Sequence, residues 1–411
     1  MKLLRCAEII MSIFCSKETL TSARLSVKYF TRIRKMPFQD ILCYLIAGYK
    51  MSTQVVLNEF FNRIGKTIHM TQQALSKARS HFDHTPFSKA FYALVDEEYC
   101  EDNLANIKRF YGLMIVAIDG SIIPLPCLPE LKAEFGEVNG SPSARASIAL
   151  DVINDRIIDA SLTPLSTDER TLATEHIHTL SEKTQIENTV FVFDRGYPSD
   201  ELIQYIISKN AKFIMRTRRK FSNLVDSAKM GSSSVTLESG IEIRVIKFYL
   251  PSGEIETLIT NLFKMPTKRF KKLYHLRWPV ETKYDIVKNK LEMPNFTGYS
   301  KNVIYQDFWI SMLLANVASI AKSEADDVIK LKRFGKENKY EYQANINLVI
   351  ASLRNRFAEA VFSKNTLARK IRVNKIIHEI AQSAVPVRPG RIVPRKNARG
   401  VKFHHNKKSN V

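Results

Sequence analysis

Two aspartates close apolar runs in this chain. Leu113-Met-Ile-Val-Ala-Ile118 leads into Asp119-Gly120, and Thr189-Val-Phe-Val-Phe193 leads into Asp194-Arg195-Gly196-Tyr197. Uninterrupted runs of this length read as buried central strands, and in open α/β sheets ligands collect at the carboxyl ends of strands. Taken singly, an aspartate before glycine is ordinary turn chemistry. A pair from neighbouring strands, joined by a third carboxylate, makes an oxygen-rich site suited to two Mg²⁺ ions. The third carboxylate is offered by Tyr274-His-Leu-Arg277-Trp-Pro-Val-Glu281, which continues to Lys288. At ~100° per residue, Tyr274, Arg277, Glu281 and Lys288 fall within ~60° of one another on a single helix, provided Pro279 only kinks it. Such a face is too polar for a core and suits a metal ligand surrounded by phosphate contacts; a solvated face with an ordinary ion pair is the plainer alternative.

The elements that must position these residues follow from the apolar period. Ala146 to Ile153 and Ile157 to Leu162 read as strands around a tight turn at Asn154-Asp155-Arg156. Thr167-Asp168-Glu169 opens a helix to about Leu180, Ser199 begins another, and Lys212 to Arg216 is a further apolar strand. Together these make a mixed α/β sheet. Residues 220–262 read as a strand-rich insertion with Ser/Gly punctuation. Beyond Pro266 the chain is helical to about Val385, and the first hundred residues are helical too. In the N-terminal part Thr71 is placed to cap a helix that carries Gln72, Gln73, Lys77 and Arg79. A DNA-reading helix-turn-helix and an ordinary polar-faced helix fit this stretch equally.

Composition sets the class of partner. Of 411 residues, 62 are Lys or Arg and 41 Asp or Glu, a net charge of +21, which points to a polyanion and first to nucleic acid. The charge is uneven: residues 101–200 hold eight basic and sixteen acidic residues, and residues 351–411 hold fifteen and two. An acidic block inside a basic chain fits a protein that keeps carboxylates for metal while the rest attracts phosphate. Five scattered cysteines without a C-x-x-C pair argue against a disulfide framework or zinc site and fit a reducing cytosol. No apolar run approaches the ~18–20 residues that span a bilayer. Gly65-Lys66-Thr67 lacks the glycine that a phosphate-binding loop needs at position 60, which is Phe60.

The order of these motifs resembles bacterial insertion-sequence transposases of the DDE type, the group with the Y-x2-R-x3-E-x6-K signature. Tyr274, Arg277, Glu281 and Lys288 match it at each position. Ala117-Ile-Asp-Gly-Ser121, the hairpin from Arg145 to Ala160, Glu169-Arg-Thr-Leu-Ala173, Phe193-Asp-Arg-Gly-Tyr197 and Leu258-Ile-Thr-Asn-Leu262 extend the likeness over residues 113–292. The resemblance implies an α/β fold: a ribonuclease H-like mixed-sheet core with a β-strand insertion between the second aspartate and the glutamate, flanked by helical N- and C-terminal regions. The expected divisions are a helical DNA-binding region at 1–108, the first part of the core at 109–219, the insertion at 220–262, the second part with the signature helix at 263–300, a helical region at 301–387 and a basic tail at 388–411.

It also implies a cytoplasmic, nucleoid-associated enzyme that cuts transposon ends and joins them to target DNA. Asp119, Asp194 and Glu281 would be the catalytic carboxylates and hold two Mg²⁺ ions, with Mn²⁺ as a substitute. Tyr274, Arg277 and Lys288 would hold DNA phosphates. The implied partners are double-stranded DNA, both the terminal inverted repeats and the target, and a second copy of the chain in the synaptic complex, with no membrane. Family members that release their ends through hairpins flip a base onto an aromatic residue in the insertion; Phe248 or Tyr249 would have to serve here, since Trp278 and Trp309 lie elsewhere.

Overall fold

The computed structural model describes residues 2–32, 35–47, 53–63, 65, 70–183, 186–337, 339–363 and 365–388. The expected basic tail from residue 389 onward and most of the Gly65-Lys66-Thr67 stretch lie outside the described residues. The chain forms two compact units: residues 99–123 with 132–284, and residues 1–98 with 124–131 and 285–411.

The first unit is built on a mixed sheet whose strands are β1 (Met114–Pro124), β2 (Glu137–Val138), β3 (Ser141–Asp151), β4 (Arg156–Thr163), β5 (Thr189–Phe193), β6 (Lys212–Arg216), β7 (Gly231–Thr236), β8 (Glu242–Tyr249) and β9 (Ile255–Thr260). β4 pairs antiparallel with β3, β3 lies beside β1, and β1, β5 and β6 run parallel. Three strands joined as neighbours and then two parallel strands reached through helices make a ribonuclease H-like core. The fully buried β5 is flanked by a parallel neighbour on each side, which explains its unbroken apolar sequence. The register sets Ala117 opposite Val192. Two residues further along each strand, on the same side of the pleat, come Asp119 and Asp194.

The turn between β3 and β4 puts Asp155 at φ 57°, a left-handed conformation that aspartate tolerates. Asp151 fixes that turn by accepting hydrogen bonds from the Ile153 and Asn154 amides at 3.1 and 3.2 Å and from the Tyr99 hydroxyl at 2.7 Å. Helices Glu169–Lys183 and Asp200–Ser208 supply the crossovers. The second starts at Ser199, whose hydroxyl accepts from the Leu202 amide, as expected of a cap. The first is pinned from within, because buried His176 lies 2.8 Å from Asp159 Oδ2 and 2.9 Å from Ser147 Oγ.

Residues 220–262 hold the strands anticipated there, but they are not a separate layer. β9 pairs antiparallel with β6, so β9, β8 and β7 prolong the same sheet. β7 ends it as an edge of alternating exposure, where Ser232 and Ser234 face solvent. Their polarity suits a sheet edge and carries no sign of which sheet it belongs to.

The second unit is helical. Its central helix, Lys301–Arg333, begins at the Ser300 cap and packs against Leu3–Cys15, Ile346–Phe362 and Thr366–Gln382. By length and composition this helix is apolar enough to cross a membrane, contrary to the expectation from sequence, yet 94% of its apolar stretch is buried in the fold. A two-stranded pair, Tyr342–Ala344 with Ala384–Pro386, joins distant parts of the unit. Thr71 caps helix Gln72–Arg79 as expected, with its hydroxyl accepting from the Ala74 amide. Gln54 ties that helix to Thr53–Arg63 through the Gln72 amide and the Met70 carbonyl.

Gln72, Gln73 and Lys77 are exposed, but Arg79, which a DNA-reading helix would also present, is buried. Its guanidinium donates to Asp307 Oδ1 at 2.6 Å, to Gln306 Oε1 at 2.6 Å and to the Thr297 hydroxyl. The requirement that wins is neutralisation of Asp307, an anion inside the central helix. Removing one partner of a buried pair strands the other charge. Asp307→Ala is therefore expected to lower unfolding free energy by about 3–5 kcal/mol, and the double change Arg79→Met/Asp307→Leu by less than either single one. Urea unfolding followed by far-UV circular dichroism checks both.

Candidate active site

Parallel pairing of β1 with β5 delivers the first two carboxylates. β1 does not stop at Asp119, as its apolar run implied; it continues to Pro124, so Asp119 sits within the strand, while Asp194 immediately follows β5. Each aspartate is braced by the next amide: Gly120 N–H donates to Asp119 Oδ1 at 3.0 Å and Arg195 N–H to Asp194 Oδ1 at 2.7 Å.

The signature segment is not one helix. Phe270–His275 ends in a turn at Leu276–Trp278, Pro279–Asp285 starts afresh, and a π-helical turn, Ile286–Lys290, follows. Proline has no amide hydrogen to give and fits the first position of a helix, so Pro279 opens the second helix instead of kinking a longer one. The single-face geometry is thereby lost, yet two of its four members still meet the aspartates, and a third, Glu281, is held by Arg277. The Tyr274 hydroxyl donates to Asp194 Oδ1 at 3.4 Å. Arg277 donates to Glu281 Oε1 at 2.6 Å and lies 3.9 Å from Asp119 Oδ2. Lys288 lies half-buried in the π-helical turn and belongs to the helical unit.

The two residues after the next hold this helix in place. The hydroxyl of buried Tyr284 donates to the carbonyl of Asp119 at 2.8 Å and to that of Ala146 at 3.2 Å. Buried Lys283 pairs with Asp155 Oδ1 at 2.6 Å, which fastens the glutamate helix to the β3–β4 turn. Neither was singled out from sequence; a lysine and a tyrosine on a helix give no sign of what will cover them.

Burial pushes the Asp119 carboxyl up to about 6, with Arg277 opposing and Asp194 and Glu169 adding to the rise. Burial, together with Asp194, also pushes up the Tyr274 phenol, so it remains a protonated donor. Among the described residues, no three acidic, imidazole or thiol side chains converge as a ready-made set of ion ligands. Arg277 bridges two of the carboxylates. The chemistry of the donors nonetheless suits a hard cation: they are carboxylate oxygens, and the Asp119 carboxyl is raised by burial, with Asp194 and Glu169 adding to the rise. Glu169 also escaped the sequence reading as a site residue. It appeared there as a helix start and as the first residue of a motif in the family likeness, and its closeness to Asp119 arises from the crossover.

A model of the family described as "Transposase DDE domain" matches residues 111–317. The chain belongs to the DDE transposase family. Among curated proteins it is similar to a probable transposase for insertion sequence element IS5377 of Geobacillus stearothermophilus, 22% identical over 158 residues, which is 35% of this chain and 42% of that protein. It is also similar to transposase InsG for insertion sequence element IS4 of Escherichia coli (strain K12), 21% identical over 317 residues, 70% of each. The chain thus spans less than half of the first relative's length and about two thirds of the second's. Among solved structures it is similar to a cryo-EM structure of the piggyBac transposase synaptic complex with hairpin DNA, at a TM-score of 0.49 and 11% identity, covering 90% of this chain and 85% of that one.

The raised carboxyl has a consequence for stability. Unfolded, Asp119 titrates near 3.8; folded, at about 6. Between these values the folded state holds more protons, so this group's contribution to stability falls as pH rises from about 4 to about 6. Asp119→Asn removes the penalty. Its expected gain is roughly 1–3 kcal/mol at pH 8 and none near pH 4, read from denaturant unfolding in EDTA at the two pH values.

Proposed function

We propose that this protein is a divalent-metal-dependent DNA transposase that cleaves DNA at transposon ends and joins the freed 3′-hydroxyl to target DNA. The contacts of one segment carry this reading: its Arg277 lies against Asp119 and Glu281, and its Tyr274 donates to Asp194. These three carboxylates would hold Mg²⁺, or Mn²⁺ in its place. A divalent ion there supplies the positive charge that favours loss of a proton from an attacking oxygen and departure of a leaving oxygen at phosphorus.

The remaining work falls to the chain's own groups. Arg277, whose guanidinium already spans Asp119 and Glu281, has a fork of donors matched to phosphate oxygens. The Tyr274 phenol, kept protonated, orients Asp194 and offers no competing negative charge. Tyr284 keeps the glutamate helix on the Asp119 strand. Lys288 adds a point charge for the DNA backbone. Trp278, half-exposed beside Arg277, and the exposed Tyr249 at the end of β8 are two of the aromatic faces open to an unstacked base. Phe248, the other aromatic considered, is only partly exposed.

On this reading the partners are double-stranded DNA, both the element's terminal repeats and the target, and a second copy of the chain when two ends are paired. The exposed Gln72, Gln73 and Lys77 of the capped N-terminal helix are the proposed DNA-reading groups. The place of action is the bacterial cytoplasm, at the nucleoid.

The test uses purified protein and a supercoiled plasmid that carries the gene's own flanking DNA. Breaks at both flanks that need Mg²⁺ or Mn²⁺ are expected, with rates reduced at least a thousandfold in Glu281→Gln and Asp194→Asn. Specific binding without breaks, the same in the variants, would show a DNA-binding protein without cleavage and overturn the reading.

A further inference from the structure

The basic run Arg216-Thr-Arg-Arg-Lys220 leaves the sheet at the carboxyl end of β6, beside the catalytic aspartates. β5 and β6 run parallel with Phe193 opposite Met215. The next residue along is Asp194 on one strand and Arg216 on the other, at one level and on one side of the pleat, with neighbouring strands about 4.8 Å apart. Arg216 thus stands where ligands of open α/β sheets collect. Glu256 of β9 lies 3.3 Å from its guanidinium, and both members of this pair are near enough to Tyr274 to act on its phenol.

Two structural tasks are open to such a run, and neither accounts for it. Charged residues blunt the edge of a sheet, but β6 lies between β5 and β9 and has no free edge to guard. Arginine also serves as counterion to a buried carboxylate, and Glu256, its side chain 8% exposed, needs one. That task uses little of Arg216. Among the described residues its guanidinium makes no hydrogen bond, so its charge answers Glu256 while the fork of donors stays open on a side chain 30% exposed. Arg218, Arg219 and Lys220 follow, all exposed, and among the described residues none of the three is paired with a carboxylate. Their backbone is nevertheless set. The Thr217 amide donates to the Thr257 carbonyl at 3.0 Å, and the Lys220 amide to Asp226 Oδ2 at 2.7 Å.

We propose that Arg216, continued by Arg218, Arg219 and Lys220, is a second phosphate-binding element of the catalytic centre and grips the DNA backbone on the Asp194 side of the scissile bond. Glu256 holds the Arg216 side chain toward that position. The inference rests on the DNA transposase reading proposed above. A guanidinium fork matches two oxygens of one phosphate, and three cations without carboxylate partners suit the phosphates that follow it.

The experiment measures binding of the full-length protein to a labelled duplex of the gene's own flanking DNA, in EDTA so that no strand is cut, across a range of KCl concentrations. The slope of log affinity against log salt counts the phosphates neutralised, at about 0.9 per contact. Arg216→Gln strands the buried Glu256 carboxylate, so Arg216→Gln/Glu256→Gln is measured beside it, with melting temperatures as the check on folding. This double variant keeps the net charge of the wild type. A slope lowered in it by about one therefore reports a lost contact and not a weaker overall field. Arg218→Gln/Arg219→Gln/Lys220→Gln is expected to lower the slope by about two to three, and its exposed positions keep the test open should the buried pair not tolerate change. Wild-type slopes in the double and triple variants would overturn the inference, while Mg²⁺-dependent cutting of the plasmid by the wild type would leave the transposase reading intact. Binding without cutting by the wild type would overturn that reading, and lowered slopes would still support the phosphate contacts.

Discussion

Carboxylates gathered at the end of a buried sheet repel one another and lose the water that would stabilise their charge, so the cations beside them decide how closely they stand. Arg277 performs that service for Glu281 and Asp119, and Arg145 for Glu169. The balance is incomplete, and Asp119 shows it by holding its proton up to about pH 6. A carboxylate so buried is costly to the fold, and the cationic Arg277 of the signature segment offsets part of that cost.

Around this electrostatic centre the fold acts mainly as a register device. Parallel pairing of β1 and β5 sets Asp119 and Asp194 at the same level and on the same side of the pleat. The glutamate arrives from a helix nearly ninety residues later, and its position is fixed from below by the hydroxyl of Tyr284 on the Asp119 carbonyl and by Lys283 on the β3–β4 turn. The hairpin is thereby more than a connection, since its turn, braced by Asp151, supplies the anchor for the third carboxylate. The pairings named here explain how the three segments are brought within reach.

Much of this was legible in the chain itself. The unbroken apolar runs Leu113–Ile118 and Thr189–Phe193 determined two central strands and with them the placing of Asp119 and Asp194. Ser199 and Thr71 announced helix starts because their hydroxyls satisfy amides that no other group nearby can. The strands within residues 220–262 were visible as well, but a strand's sequence does not say which neighbour it will pair with. Only the pairing of β9 with β6 made them part of the central sheet.

What the tertiary structure alone decided are the contacts between segments whose residues look ordinary in isolation. Arg79 had the appearance of a DNA contact and became the counterion of Asp307, because a charge buried on a distant helix outweighs solvation of a guanidinium. The single helix expected for the signature did not form, since proline begins a helix more readily than it continues one. Glu169, Lys283 and Tyr284 entered the site through crossover and packing, which have no local mark in sequence. The chain by itself determined the strands, the helix starts and the candidate side chains beside them, because residue type, apolar period and capping are local properties. Their company was decided by folding, because charge neutralisation and strand pairing act between segments that only the folded state brings together.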